Sequence, residues 1–220
     1  MARGIFVTGT DTGVGKTVVA VALLRALVAS GKRAAGMKPV AAGIADGQSV
    51  NADVDALFRA GNVNAPLADR NPFSFVPAVA PHVAAAEAGV PIDLAVIAGS
   101  FARLAAHSDF VVVEGAGGVL VPIDATHDML DIATGLHLPV LLVVGLRLGC
   151  LNHALLAALA LRSRGLRLSG WVANHIDPQM RAKEANVEAL VLRMQAPLLA
   201  EIVWSETPAL PPEVLDKLVL

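Results

Sequence analysis

The sequence predicts a three-layer α/β fold, an open and mostly parallel sheet with helices on both faces. Three observations carry that expectation. Apolar runs rich in Val and Ile alternate with longer Ala/Leu segments of helical period, the signature of βαβ units around a sheet buried on both sides. The first apolar run passes directly into a Gly-rich loop that opens a helix. Finally, 55% of the 220 residues are hydrophobic and 16% charged, against a typical charged share of about 25%, which is ample material for two core layers.

Taken in order, Gly4 to Thr8 is the first strand, and Lys16 to Ser30 the first helix, closed by Gly31. Arg33 to Pro39 is the next strand and Asp53 to Ala60 the next helix. The helix Ile92 to His107 leads into the strand Asp109 to Glu114. Met129 to Leu136, with Gly135 as its stop signal, precedes the strand Pro139 to Val144. Asn152 to Arg164 ends at Gly165, before the strand Leu168 to Asn174. Met180 to Met194 is helical, Pro197 to Ile202 is a strand, and Pro212 to Leu218 is a last helix. Ala41 to Val50 and Gly61 to Pro91 read as irregular, the second carrying four prolines before Pro91. No repeat, low-complexity linker or composition shift divides the chain, so a single domain over residues 1–220 is expected.

Composition excludes several classes of function. The mean hydropathy of +0.62 raises the question of a membrane. The longest charge-free stretches, Asn71 to Ala86 and Ile132 to Leu146, fall short of the roughly 18 apolar residues a span needs, and prolines or His137 interrupt them. Met1 to Thr8 holds too short an apolar run for a signal peptide, so a cytoplasmic protein is expected. Seventeen basic and nineteen acidic residues leave a net charge of -2, with no general attraction to nucleic acid or anionic lipid. Aromatic residues make up 4% and Tyr is absent, which argues against stacking platforms for single strands. A single cysteine, Cys150, excludes an internal disulfide, and no Cys/His spacing suits zinc. Small molecules are the expected partners.

The strongest motif is Gly9-Thr10-Asp11-Thr12-Gly13-Val14-Gly15-Lys16-Thr17, between a strand and a helix. Its backbone N–H groups and the positive end of the helix would cradle phosphate, with Lys16 on the outer phosphates and the Thr17 hydroxyl on Mg²⁺. Five residues rather than four separate Gly9 from Gly15, a departure from the general phosphate-binding loop. The buried run Phe110 to Val113 ends in Glu114 and the loop Gly115-Ala116-Gly117-Gly118. Ligands of an open parallel sheet collect at the carboxyl ends of its strands, so Glu114 should face the same crevice and could hold Mg²⁺. Lys38, one of five lysines, also ends a strand and would supply a second cation beside the phosphates. In Asn51-Ala52-Asp53-Val54-Asp55, Asp53 is a natural N-cap and Asp55 lies in the first turn, from which it could project towards Mg²⁺. Spacing alone does not separate the two.

Five ordered motifs resemble those of the dethiobiotin synthetase family. They are Val7 to Thr12 with Val14 to Thr17; Lys38-Pro39-Val40; Val113 to Gly118; Leu148-Gly149-Cys150-Leu151-Asn152-His153; and Gly170 to Asn174. The long spacing from Gly9 to Gly15 is what that family shows. The resemblance implies a nucleoside-triphosphatase-like phosphate-loop fold. It also implies a homodimer that converts 7,8-diaminopelargonic acid, CO₂ and Mg·ATP to dethiobiotin, ADP and phosphate through a phosphorylated carbamate. On that resemblance, Gly13, Val14, Gly15, Lys16, Thr17, Glu114, Gly117 and Asn174 bind ATP, with Asn174 reading the adenine. Lys16 and Lys38 hold the carbamate and γ-phosphate, and Thr12 lies against the transferred phosphoryl. Thr17, Asp55 and Glu114 arrange Mg²⁺. Lys38 and Ala42, which stands where the family often has Ser or Thr, contact the substrate. Gly149, Cys150, Leu151 and Asn152 bind the distal carboxylate from the partner subunit, at a helix N-terminus. The alternative is a nucleotide-switched partition or targeting ATPase of related fold. Such proteins usually carry a second Lys early in the loop, where this chain has Thr8-Gly9-Thr10.

Overall fold

The computed structural model describes residues 4–203, 209–211 and 213–218. Six parallel strands form the main sheet in the order β2-β5-β1-β6-β7-β8. They are β1 (Gly4–Gly9), β2 (Ala34–Met37), β5 (Phe110–Gly118), β6 (Val140–Gly145), β7 (Leu168–Asn174) and β8 (Leu198–Ile202). All six fall on strands expected from the sequence, although β2 (Ala-Ala-Gly-Met) holds neither Val nor Ile. Side chains alternate between the two faces. Ile5 and Val7 pack with Leu23, Leu24, Val112 and Val143 under α1 (Lys16–Ala29) and α2 (Ala52–Ala60). Phe6 packs on the opposite side with Phe101, Leu104, Val113 and Leu142. That second core lies under α5 (Leu94–Ala106), α6 (Met129–Gly135), α7 (Cys150–Ser163) and α8 (Lys183–Arg193). A short α9 (Glu213–Lys217) reaches β8, and the Pro212 from which its start was expected lies outside the described residues.

Strand β1 sits between β5 and β6, with Val7 level with Glu114 and with Leu141. The phosphate-type loop after β1 and the glycine run ending β5 therefore emerge side by side at the carboxyl edge. Among the described residues, no helix is long and apolar enough to cross a membrane.

The segments read as irregular hold structure of their own. Strands β3 (Val40–Ala42) and β4 (Phe73–Phe75) pair in a separate parallel sheet, and α3 (Leu67–Arg70) and α4 (Pro81–Ala88) flank them. Three- and four-residue elements are too short to show a period, so the sequence carries little trace of them. The prolines misled here, because Pro81 occupies the first turn of α4, where a missing N–H costs nothing. Several boundaries also move. Asp93 caps α5 by accepting from the Ala95 N–H, so that helix starts at Leu94 rather than Ile92. Helix α7 starts at Cys150, two residues before the expected Asn152, and α8 starts at Lys183 rather than Met180.

Candidate active site

The loop between β1 and α1 wraps the helix N-terminus. Gly15 is the N-cap residue at φ 89°, and Gly13 also has a positive φ of 75°, conformations that side chains with a Cβ rarely adopt. The turn buries the Lys16 side chain, whose Nζ donates to the Asp11 carbonyl at 2.8 Å. Burial lowers the Lys16 ammonium to about 8, and the nearby Glu114 carboxylate only partly offsets this. On the next residue, Thr17 Oγ1 donates to Glu114 Oε1 at 2.9 Å.

Glu114 is fully buried, a carboxylate carried into the core directly behind the apolar run Phe110 to Val113 of β5. Lys38 Nζ lies 2.6 Å from its Oε1 and 2.5 Å from Asp53 Oδ2. Burial pushes the Glu114 carboxyl above its usual range despite Lys38. Burial also works against the Lys38 ammonium, but the two carboxylates outweigh it and raise its pKa. Asp53, half-exposed on α2, is drawn below its usual range because Lys38 outweighs its own desolvation. The second oxygen of Glu114, Oε2, is buried with no hydrogen-bond partner. Lone buried carboxylate oxygens are costly, and this one marks a place for a cation or a donor.

These groups line one cavity of about 740 Å³. Its lining includes Thr12, Gly13, Gly15, Lys16 and Thr17 of the loop and α1, then Lys38, Ala42, Asp53, Glu114 and Gly117, and the apolar segment Ala78 to Pro81 with Val121. Asn174, at the end of β7, donates from Nδ2 to the Val14 carbonyl at 2.8 Å and so ties β7 to the loop.

Two expectations need correction. Asp53 is not the N-cap of α2. Asn51 is, accepting from the Asp53 N–H at 3.0 Å while its amide donates to the Gly43 carbonyl, and this frees the Asp53 side chain for Lys38. Asp55 points elsewhere, paired with Arg59 at 2.9 Å on the outer side of α2 and absent from the cavity wall. Gly149, Cys150, Leu151 and Asn152 stand at the start of α7, with Cys150 buried and Asn152 exposed, and none of them lines the cavity of this chain. Sequence reasoning missed Asn51 and Arg147, the latter ion-paired with Asp11 of the loop. For Asn51 a signal existed, an Asn directly ahead of an apolar-periodic run.

A family model described as an AAA domain matches residues 3–209. The chain is 50% identical over 206 residues to the ATP-dependent dethiobiotin synthetase BioD of Nitrosospira multiformis, covering 94% of this chain and 90% of that protein. It is likewise 50% identical to the protein of that name from Aromatoleum aromaticum, over 91% of this chain and 90% of the relative. The chain belongs to the ATP-dependent dethiobiotin synthetase family, a family of ligases. The resemblance read from five short motifs therefore extends along nearly the whole sequence. Among solved structures, this dethiobiotin synthetase family member is similar to the septum site-determining protein MinD of Pyrococcus horikoshii complexed with Mg-ADP. The TM-score is 0.59 at 19% identity, over the full length of this chain and 86% of that one. Chloroplast FtsY from Physcomitrella patens matches with a TM-score of 0.58 at 15% identity, over 66% of its length. At such identities these likenesses establish the phosphate-loop α/β fold and nothing finer.

Proposed function

We propose that this chain closes the ureido ring of dethiobiotin, taking 7,8-diaminopelargonic acid, CO₂ and ATP to dethiobiotin, ADP and phosphate. The observation that carries the reading is the convergence of two buried lysines, Lys16 and Lys38, with Glu114, Asp53 and Thr17 on one cavity. Two cations and two carboxylates in one crevice suit a reaction whose charge is shared between a nucleotide and an anionic co-substrate.

One amine of the diamine adds to CO₂ and loses a proton, giving a carbamate. A carbamate oxygen then attacks the γ-phosphorus, and ADP leaves. The second amine attacks the carbamoyl carbon of the resulting mixed anhydride, phosphate leaves, and the ring closes with loss of a proton. Aligned amines and carbamates are adequate nucleophiles, so no covalent enzyme intermediate is needed and the residues act by positioning and charge. Lys16 would hold the outer phosphates and Lys38 the carbamate and the transferred group. Thr12 lies against that group, the backbone from Gly13 to Thr17 cradles the phosphates, and Gly117 lets the β5 loop approach. Asn174 would read the adenine. The apolar side of the cavity, with Ala42, would receive the alkyl part of the substrate.

Thr17, Asp53 and Glu114 would hold Mg²⁺, Asp53 taking the place first given to Asp55. Their donors are all oxygen, and the unpartnered Glu114 Oε2 fits a hard cation. Among the described residues, no group of three His, Cys, Asp or Glu side chains could hold a metal by itself, so phosphate oxygens would complete the shell. Bound there, Mg²⁺ would neutralise charge on the phosphates.

A homodimer follows from the same reading, with Gly149, Cys150, Leu151 and Asn152 receiving the distal carboxylate of a substrate held mainly by the partner subunit. Leu148, Leu156 and Leu159 are all more than half exposed on and beside α7, an apolar stripe that a second copy would cover. Leu156→Asp with Leu159→Asp should sediment as a monomer; an unchanged dimer would place the interface elsewhere. We read residues 1–220 as a single domain, and a cytoplasmic setting suits a reaction that draws on ATP and bicarbonate. The decisive experiment is ADP release by the purified protein. It should require 7,8-diaminopelargonic acid and bicarbonate together, and ADP release indifferent to both would sink the assignment.

A further inference from the structure

Lys38 stands where the main sheet has already ended. Strand β2 stops at Met37 and β3 begins at Val40, so neither ladder holds the Lys38 peptide groups. Its anchors come from the last residue of α3 and the turn that follows it. The Lys38 N–H donates to the Arg70 carbonyl at 2.8 Å, and the Lys38 carbonyl accepts from Asn71 Nδ2 at 2.7 Å. The same Nδ2 donates to the Phe73 carbonyl at 3.0 Å, while the Phe73 N–H returns to the Pro39 carbonyl at 3.1 Å. Asn71 is buried, so these bonds form away from competing water. The turn is itself fixed to the helix that carries Asp53, because the Arg70 guanidinium stacks over the Phe58 ring of α2 at 3.9 Å.

This geometry matters because a lysine side chain is long and flexible. In the structure Lys38 Nζ is held by Glu114 and Asp53, two groups assigned above to the metal. Once those carboxylates are engaged otherwise, the main-chain anchor is what keeps the ammonium in reach of the reacting oxygens. We propose that Asn71 is a positioning residue for Lys38, its carboxamide fixing the Lys38 carbonyl and thereby the origin of the side chain. The inference rests on the proposed role of Lys38. It also explains the residue type: the amide offers two donors to two carbonyls, whereas a carboxylate offers none and Leu has the shape without the chemistry.

The test compares Asn71→Leu and Lys38→Met with the parent protein. Sites able to bind ADP are titrated first, so that kcat is expressed per competent site. Asn71→Leu should lower kcat per site by about 10- to 100-fold while the KM for MgATP stays within about threefold, since the β1–α1 loop is untouched. If Asn71→Leu yields no titratable sites, the same comparison is read on Asn71→Ala. A kcat per site within twofold of the parent, or a KM for MgATP that rises in step with the loss of kcat, overturns the positioning role and leaves Asn71 a packing residue. Undiminished turnover by Lys38→Met would instead overturn the reading of Lys38, and this inference with it.

Discussion

Lys38 Nζ lies 2.6 Å from Glu114 Oε1, and the other oxygen of that carboxylate is buried without a partner. The lysine thus neutralises one side of a carboxylate whose other oxygen is left without a donor. Removing the lysine has two separable effects. Lys38→Met should lower turnover by about 10²- to 10³-fold, because it deletes a cation facing the transition state. The far-ultraviolet circular dichroism should be unchanged, since the main-chain bonds of Lys38 to Arg70 and Asn71 remain. Stability should nevertheless fall by about 3 kcal/mol near neutral pH, the consequence of a buried carboxylate left unpaired. Without Lys38, Glu114 binds its proton more readily folded than unfolded, so this loss should shrink as pH falls. Urea titrations at several pH values check the sign; a loss that grows in acid would show that Glu114 stays ionised.

Asp53 rather than Asp55 faces the cavity, and their substitutions should differ in kind. Asp53→Asn should raise the Mg²⁺ concentration needed for half-maximal activity by tenfold or more, on the order expected for a lost carboxylate ligand. Asp55→Asn breaks only a half-exposed pair with Arg59, worth about 0.3–0.5 kcal/mol, and should leave the Mg²⁺ requirement alone. Mg²⁺ titration of both variants decides the matter, and the reverse order would return the metal to Asp55.

Much of this site was legible in the sequence, and the exceptions share a cause. Lys16 and Thr17 open a helix, Lys38 follows β2, and Glu114 closes the apolar run of β5, and topology alone brings such positions to one edge. Asp53 and Asp55 lie on the same helical turn about 200° apart, so the choice between them depends on where β2 releases Lys38. Asn51 settles it by taking the cap that Asp53 would otherwise have filled. Residues 61–91 resisted for a related reason. Elements as short as β3, β4 and α3 are held by bonds such as those from Asn71 to Lys38 and Phe73, which leave no local period.

The Lys16 pKa of about 8 makes nucleotide binding sensitive to alkali. Around pH 8 the empty site is a mixture of ammonium and amine, and phosphate bound beside it favours the ammonium. ATP binding should therefore take up protons above about pH 7.5, and the apparent Kd should rise with pH beyond 8. Calorimetry in buffers of different ionisation enthalpy measures that uptake, and none at pH 8.5 would mean that Lys16 is already fully charged. Stability moves the opposite way. The folded chain binds fewer protons here than the unfolded chain between about pH 8 and the ordinary lysine value of 10.5, so this group destabilises below pH 8 and is relieved as pH climbs through that window.

Gly15 tests the link between the loop and β7. It has a φ of 89°, and a Cβ there would fall 2.1 Å from Asn174 Nδ2, the atom that donates to the Val14 carbonyl. Gly15→Ala must therefore strain the backbone and also displace Asn174. Gly13 has a φ of 75° but no atom within 4 Å of such a Cβ, so Gly13→Ala meets strain alone, of about 1–2 kcal/mol. ATP affinity should fall at least tenfold further in Gly15→Ala than in Gly13→Ala, with a correspondingly lower thermal midpoint. Equilibrium binding of ATP to both variants separates the two effects. Equal losses would show that conformation, and not the contact with Asn174, makes glycine necessary at position 15.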